Sequence, residues 1–210
     1  MARIPFVIGI AGAVGSGKSW FAEKLKNALS VPVCIFTLDA YSKDASFVNG
    51  LEYHYDNPMA IDYDKAYDDF SKLKQGRPVK LPVYDYAIHG VVSEMKYNSP
   101  IVIIIEGLYA FYDKRFLEAM DFKLWIEADE KTCMERRIQR DVTERGETLE
   151  ESLSRHEKDS VPAFIKYYCK EKFLSDCMYY NDKLNNNHRL IELIRGYIYG
   201  KKWSQKSNKQ

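Results

Sequence analysis

The chain has 210 residues, 46% of them hydrophobic, with 31 Lys and Arg against 30 Asp and Glu, for a formal charge of +1. That is enough for one globular domain with a small insertion, and the balance gives no electrostatic hold on duplex nucleic acid or an anionic membrane. The four cysteines, Cys34, Cys133, Cys169 and Cys177, form no C-x-x-C pair, which excludes zinc-site and disulfide-framework spacings and suits reduced thiols in a cytoplasmic protein.

The first residues run into an apolar stretch that meets glycine by residue 12, too short for a membrane span and unlike a signal peptide. Residues 5–11 read as a buried strand. Residues 18–29 carry a helical stripe of Phe21, Ala22, Leu25, Ala28 and Leu29. A second apolar run, 31–38, reads as a strand, and 40–61 as a long polar and aromatic loop. A helix over 62–74 stops near Gly76. Residues 78–86 alternate and contain prolines, as an edge strand does, and 91–97 return beside them as a hairpin around His89-Gly90. The run 101–105 is the most apolar in the chain and reads as a central strand, with another at 122–126. A charged helix over 130–144, a long helix over 149–173, a weak strand at 177–180 and a helix at 186–198 complete the pattern. Strands alternating with helices predict an α/β fold, a parallel sheet with helices on both faces. The whole reads as one domain over 1–200, with a β insertion at 79–97, a lid region at 136–155 and a solvated basic tail at 201–210.

Between the first strand and the first helix stands Gly12-Ala13-Val14-Gly15-Ser16-Gly17-Lys18-Ser19, a full G-x-x-x-x-G-K-[ST] phosphate loop. Its glycines let backbone N–H groups surround a phosphate, and the helix N-terminus points unsatisfied donors at the same anion. Lys18 reaches the β- and γ-phosphates, and the Ser19 hydroxyl suits Mg²⁺. A carboxylate that organises the metal belongs at the end of a neighbouring strand, and Asp39 and Glu106 both stand at such ends. Asp39 is the expected base toward an acceptor hydroxyl, with a place in the metal shell, and Glu106 the expected metal ligand. Arg136, Arg137, Arg140 and Arg145, followed by Gly146, read as a mobile lid that neutralises phosphoryl charge and excludes water. Together these predict a P-loop kinase fold using ATP or GTP and Mg²⁺ on a small hydroxylated acceptor.

Further along, Tyr55-Asp56-Asn57-Pro58, Pro82-Val83-Tyr84-Asp85-Tyr86 with His89, Ile105-Glu106-Gly107-Leu108, Arg136-Arg137 through Arg140-Asp141, and Glu144-Arg145-Gly146 occur in order. This set, over residues 6–166, resembles the uridine kinase (uridine–cytidine kinase) family. The resemblance implies phosphorylation of the ribose 5′-hydroxyl of uridine or cytidine, with Asp39 as base. It implies that Asp56 holds ribose hydroxyls, Tyr84 and His89 contact the pyrimidine, Arg137 anchors the acceptor, and Arg140 and Arg145 serve the phosphates. It also suggests a homo-oligomer. Read without the resemblance, Tyr84 is a strand aromatic and His89 a turn residue. Departures from the family pattern stand at Ser42, Gly90, Glu147, Arg155 and Tyr180-Asn181-Asp182-Lys183. Those near the acceptor leave open another riboside, a pantothenate-like or sugar phosphate acceptor, or a nucleotide-binding regulatory protein with weakened catalysis. Arg155, on the acceptor side, would suit an acidic acceptor or a different base.

Overall fold

The computed structural model describes residues 4–88, 90–182 and 187–207. Strand β1 (Phe6–Gly12) is buried throughout. Its alternate side chains feed two cores: Phe6, Ile8 and Ile10 face one layer, Val7 and Ala11 the other. Strands β2 (Val33–Thr37), β5 (Val102–Glu106), β6 (Phe122–Glu127) and β7 (Cys177–Tyr180) complete a parallel sheet in the order β2-β5-β1-β6-β7. Such a sheet is covered on both faces, which is why β5 reads as an unbroken apolar run.

Helix α1 (Lys18–Ala28) covers one face with Phe21, Ala22 and Leu25, and α8 (His188–Ser207) adds Ile191, Ile194 and Ile198. Helix α3 (Tyr63–Lys74) covers the other with Ala66, Phe70 and Leu73, at i, i+4 and i+7. Burying Phe70 alone is worth about 1.5–3 kcal/mol. The helix starts at Asp62, whose side chain caps it by accepting from Lys65 N at 3.0 Å, and it ends before Gly76 at φ 72°.

Four features differ from the sequence expectations. The 40–61 loop holds a 3₁₀ turn at its entry (Leu38–Tyr41), a short helix α2 (Ala45–Val48) and 3₁₀ turns at His54–Asp56 and Pro58–Ala60. A short helix α4 (Lys114–Ala119) packs Phe116 into the core. After α5 (Glu130–Glu144), the expected helix over 149–173 is α6 (Leu149–Arg155), a π-helical turn (His156–Ser160), α7 (Val161–Ala163), a second π-helical turn (Phe164–Tyr168) and a 3₁₀ turn (Glu171–Leu174). Pro162 stands in the first turn of α7, where its missing N–H is tolerated, and the α-helical ladder is broken on either side of it by the π-helical turns. Finally, α8 continues through Ser207, into the segment expected to be a tail.

Strands β3 (Val79–Asp85) and β4 (Gly90–Tyr97) pair antiparallel as a separate two-stranded sheet, with a register shift between Val83 and Tyr84. Register brings Gly12, Thr37 and Glu106 to one end of the main sheet: Ile10 pairs with Glu106, and Glu106 with Thr37. The site lies at that end.

Candidate active site

Helices α3, α4, α5 and α6 each begin on a side-chain cap, from Asp62, Asp113, Asp129 and Thr148. Helix α1 begins at Gly17 with no side-chain cap, so its first amides are left for an anion. The loop before it is held close to α5. Gly15 sits at φ 78°, and a Cβ there would collide with the Cys133 carbonyl. Behind it, Asn181 Nδ2 donates to the Ser16 carbonyl at 2.7 Å, while the Asn181 carbonyl accepts from Arg136 Nη2 at 3.1 Å. Loop, α5 and the end of β7 are thus tied together.

Lys18 Nζ donates to Ala13 O at 2.9 Å, and Ser19 Oγ donates to Glu106 Oε2 at 3.0 Å. Burial pushes the Lys18 ammonium down, against the pull of Glu106 and Asp39. Burial pushes the Glu106 carboxyl up, as does the Asp39 charge, and Lys18 opposes both. Asp39 lies on the turn that follows β2. A Cβ on Gly107, at the end of β5, would lie 3.5 Å from Asp39 Oδ1, so the two acids of the neighbouring strand ends converge. Tyr86 Oη donates to Asp39 Oδ2 at 3.2 Å, and the Arg145 guanidinium lies 4.2 Å over the Tyr86 ring. Ser42 Oγ donates to the Asp39 carbonyl at 2.8 Å. Ser19, Glu106 and Asp39 form a hard-oxygen set. No cluster of three or more His, Cys, Asp or Glu suited to hold a metal alone occurs among the described residues. One hydroxyl with one or two carboxylates, the remainder left to phosphate and water, fits Mg²⁺.

Further along the same cleft, Arg137 Nη1 donates to Ser160 Oγ, and Ser160 Oγ donates to Asp56 Oδ2. Arg137 Nη1 stands 3.8 Å from Asp56 Oδ2, and Tyr109 Oη donates to the Asp56 carbonyl. Burial pushes the Asp56 carboxyl up, opposed first by Arg137 and then by Ser160. Arg155 Nη1 pairs with Glu147 Oε1 at 2.6 Å, so two of the departures from the family pattern bond to each other.

One cleft of about 1620 Å³ joins these groups. It is lined by Val14, Gly15, Gly17, Lys18, Ser19, Asp39, Asp56, Tyr84, Glu106, Arg137, Arg140, Arg145 and Arg155. Gly12, Ala13 and Ser16 are not among the lining residues. The Ser16 side chain is fully buried, and its Oγ approaches the space a Cβ on Gly12 would fill. His89 lies outside the described residues. The segment expected to be a lid is packed and not solvated at two positions: Arg137 is 4% exposed and Asp141 fully buried. Sequence reasoning missed Tyr86, Ser160, Tyr109, Asn181 and the bonding of Asp141. Only Tyr86 carried a signal, since in the strand expected over 78–86 it falls on the same face as Tyr84, although β3 stops at Asp85 and Tyr86 stands in the turn after it.

The family model for the Phosphoribulokinase / Uridine kinase family matches residues 7–179. The uridine kinase of Saccharomyces cerevisiae is 33% identical over 94% of this chain and 40% of its own length, so this chain spans about two fifths of that relative. The uridine kinase of Proteus mirabilis is 36% identical over 91% of this chain and 93% of its own. A solved structure described as a possible uridine kinase from Bacillus stearothermophilus shares the fold, with a TM-score of 0.62 at 19% identity over 85% of this chain and 90% of that one.

Proposed function

This chain belongs to the phosphoribulokinase / uridine kinase family, and from that premise we propose that it moves the γ-phosphoryl of ATP or GTP to the 5′-hydroxyl of a nucleoside, uridine or cytidine, giving UMP or CMP. The observation that carries this reading is a single cleft lined both by Lys18, Asp39 and Glu106 and by Asp56 and Arg137, the last two bridged from behind by the buried Ser160.

Lys18 and the α1 N-terminus grip the triphosphate. Ser19, Glu106 and Asp39 would hold Mg²⁺, which would supply charge neutralisation for the triphosphate. Asp56 accepts from the vicinal ribose hydroxyls, with Arg137 fixing its carboxylate, and Tyr84 meets the base. Asp39 takes the proton from the 5′-hydroxyl as that oxygen attacks. Arg140 and Arg145 offset charge on the transferring group, and the α5–α6 segment keeps water out. The reaction needs no nucleic acid or membrane. No helix among the described residues is long and apolar enough to cross one; a cytoplasmic location and a homo-oligomer are what membership of the family suggests.

The Glu147–Arg155 ion pair favours a second reading, a kinase for another small hydroxylated acceptor, because it sets a charged pair near Tyr55 and Asp56. A mass-spectrometric screen with ATP and Mg²⁺, over nucleosides, pantothenate-like alcohols and sugar phosphates, separates the two. Phosphorylated uridine or cytidine is expected, and Asp39→Asn should lose about 10²–10⁴-fold in turnover. Triphosphate bound with no product from any acceptor would mark a regulatory protein instead.

A further inference from the structure

Asp141 is fully buried on α5, and three arginines converge on it. Oδ1 accepts from Arg140 Nε at 3.1 Å, Arg140 Nη2 at 2.9 Å and Arg145 Nη1 at 3.2 Å. Oδ2 accepts from Arg137 Nε and from Ser152 Oγ of α6, both at 3.2 Å. The Asp141 carbonyl accepts from Glu147 N at 3.1 Å, which holds the turn after Gly146 against the same residue. Helical spacing explains the convergence. Positions 137, 141 and 145 stack at i, i+4 and i+8 on one stripe, and Arg140 reaches sideways from the next residue.

With Asp56 also facing Arg137, one carboxylate, that of Asp141, serves Arg137, Arg140 and Arg145 together. It also sets where each cation goes. Arg137 turns to Ser160 and Asp56 on the acceptor side. Arg145 lies over Tyr86, which bonds Asp39. Arg140 stands within electrostatic reach of Lys18. The guanidinium groups therefore flank both sides of the place where phosphoryl would pass, at separations that one buried anchor dictates.

Resting on the kinase reading above, we propose that Asp141 is a positioning residue that fixes Arg137, Arg140 and Arg145 for the transfer step, and that nucleotide binding does not require it. The sign of its effect separates this role from a merely structural one. Asp141→Asn removes a negative charge near the proposed triphosphate site, so binding of the nucleotide holds or tightens. The arginines, now repelling one another without a shared anchor, no longer meet the transferring group together, so turnover falls.

The test is the full chain with Asp141→Asn, read by calorimetric titration of ATP with Mg²⁺ and by steady-state kinetics on the acceptor found active. A kcat lower by about tenfold or more, with ATP affinity equal or higher, is expected. In a double-mutant cycle, Asp141→Asn should cost less in an Arg140→Gln background than in wild type. An Asp141→Asn protein that folds and turns over within twofold of wild type overturns the proposal, as does ATP affinity falling in step with kcat. Should that variant not fold, Ser152→Ala loosens the anchor alone. A kcat lowered severalfold at unchanged ATP affinity supports the proposal, and an unchanged kcat overturns it. Wild-type protein that yields no product from any acceptor sinks the kinase reading instead, an outcome distinct from active wild type with equally active Asp141→Asn.

Discussion

Glu171 is 6% exposed and lies near Tyr63, Tyr109 and Tyr168, neither of its carboxylate oxygens has a hydrogen-bond partner among the described residues, and burial pushes its carboxyl up to about 8. The folded chain then keeps a proton that the unfolded chain releases near 4.5. Between those two values the folded state binds more protons, so this group's contribution falls as pH rises through the window and levels off above it. Urea midpoints at pH 6 and pH 8.5 should therefore drop less in Glu171→Gln than in wild type, and equal drops would show that the buried carboxyl ionises freely. Nothing one-dimensional marks Glu171 as buried, since it stands among charged neighbours in a stretch that reads as a solvated helix. Asp141 was illegible for a related reason. Its spacing to Arg137 was plain, but an i, i+4 ion pair usually lies in solvent, and only the packing of α5 against α6 shows three cations sharing one anchor. Lys18, Ser19, Asp39 and Glu106 were legible because a phosphate loop and strand ends are local patterns. Where each strand stops predicts where its acid points.

Among the elements, α6 carries more than its length suggests. Its start is a capping box: Thr148 Oγ1 accepts from Glu151 N at 3.2 Å, and Glu151 Oε2 accepts from Thr148 N at 2.8 Å. From it hang Ser152, bonded to Asp141, and Arg155, bonded to Glu147. Thr148→Ala should cost about 1 kcal/mol, lowering Tm by about 2–4 °C at this chain length, as calorimetry would read. No shift would mean that the helix is held by its packing and not by its cap. The strands and α1, α3 and α5 were readable because each is long enough to repeat its period. Helix α4 spans six residues, Lys114–Ala119, too few for a stripe to emerge. The π-helical turns were hidden because a helix of wider register has nearly the same apolar pattern as an α-helix. Yet the turn His156–Ser160 ends on the Ser160 that bonds Asp56, so the element hardest to read positions part of the proposed acceptor cluster.

At the scale of the whole molecule, alternating strands and helices predicted a parallel sheet, but no local signal orders the strands. The order β2-β5-β1-β6-β7 decides that the acids ending β2 and β5 stand beside the loop that ends β1. The proposed triphosphate site is consequently a product of the folded chain alone: it draws on β1, β2, β5, α1 and α5, distant in sequence. A ligand that binds only this assembled state stabilises the whole fold. At a concentration of 100 Kd the gain is about 2.7 kcal/mol, and at about 2–4 °C per kcal/mol for a chain of this size Tm should rise by about 5–11 °C. ATP with Mg²⁺ should produce that rise in wild type, read by scanning calorimetry. Lys18→Met should abolish most of it, because the side chain keeps its apolar stem while losing the cation that bonds Ala13 O and faces Glu106 and Asp39. The unliganded Tm of that variant should stay close to wild type, since the one hydrogen bond lost is internal to the loop. An ATP-induced rise of equal size in both proteins would mean that the triphosphate binds elsewhere, and the assignment of both clusters in the cleft would fall with it.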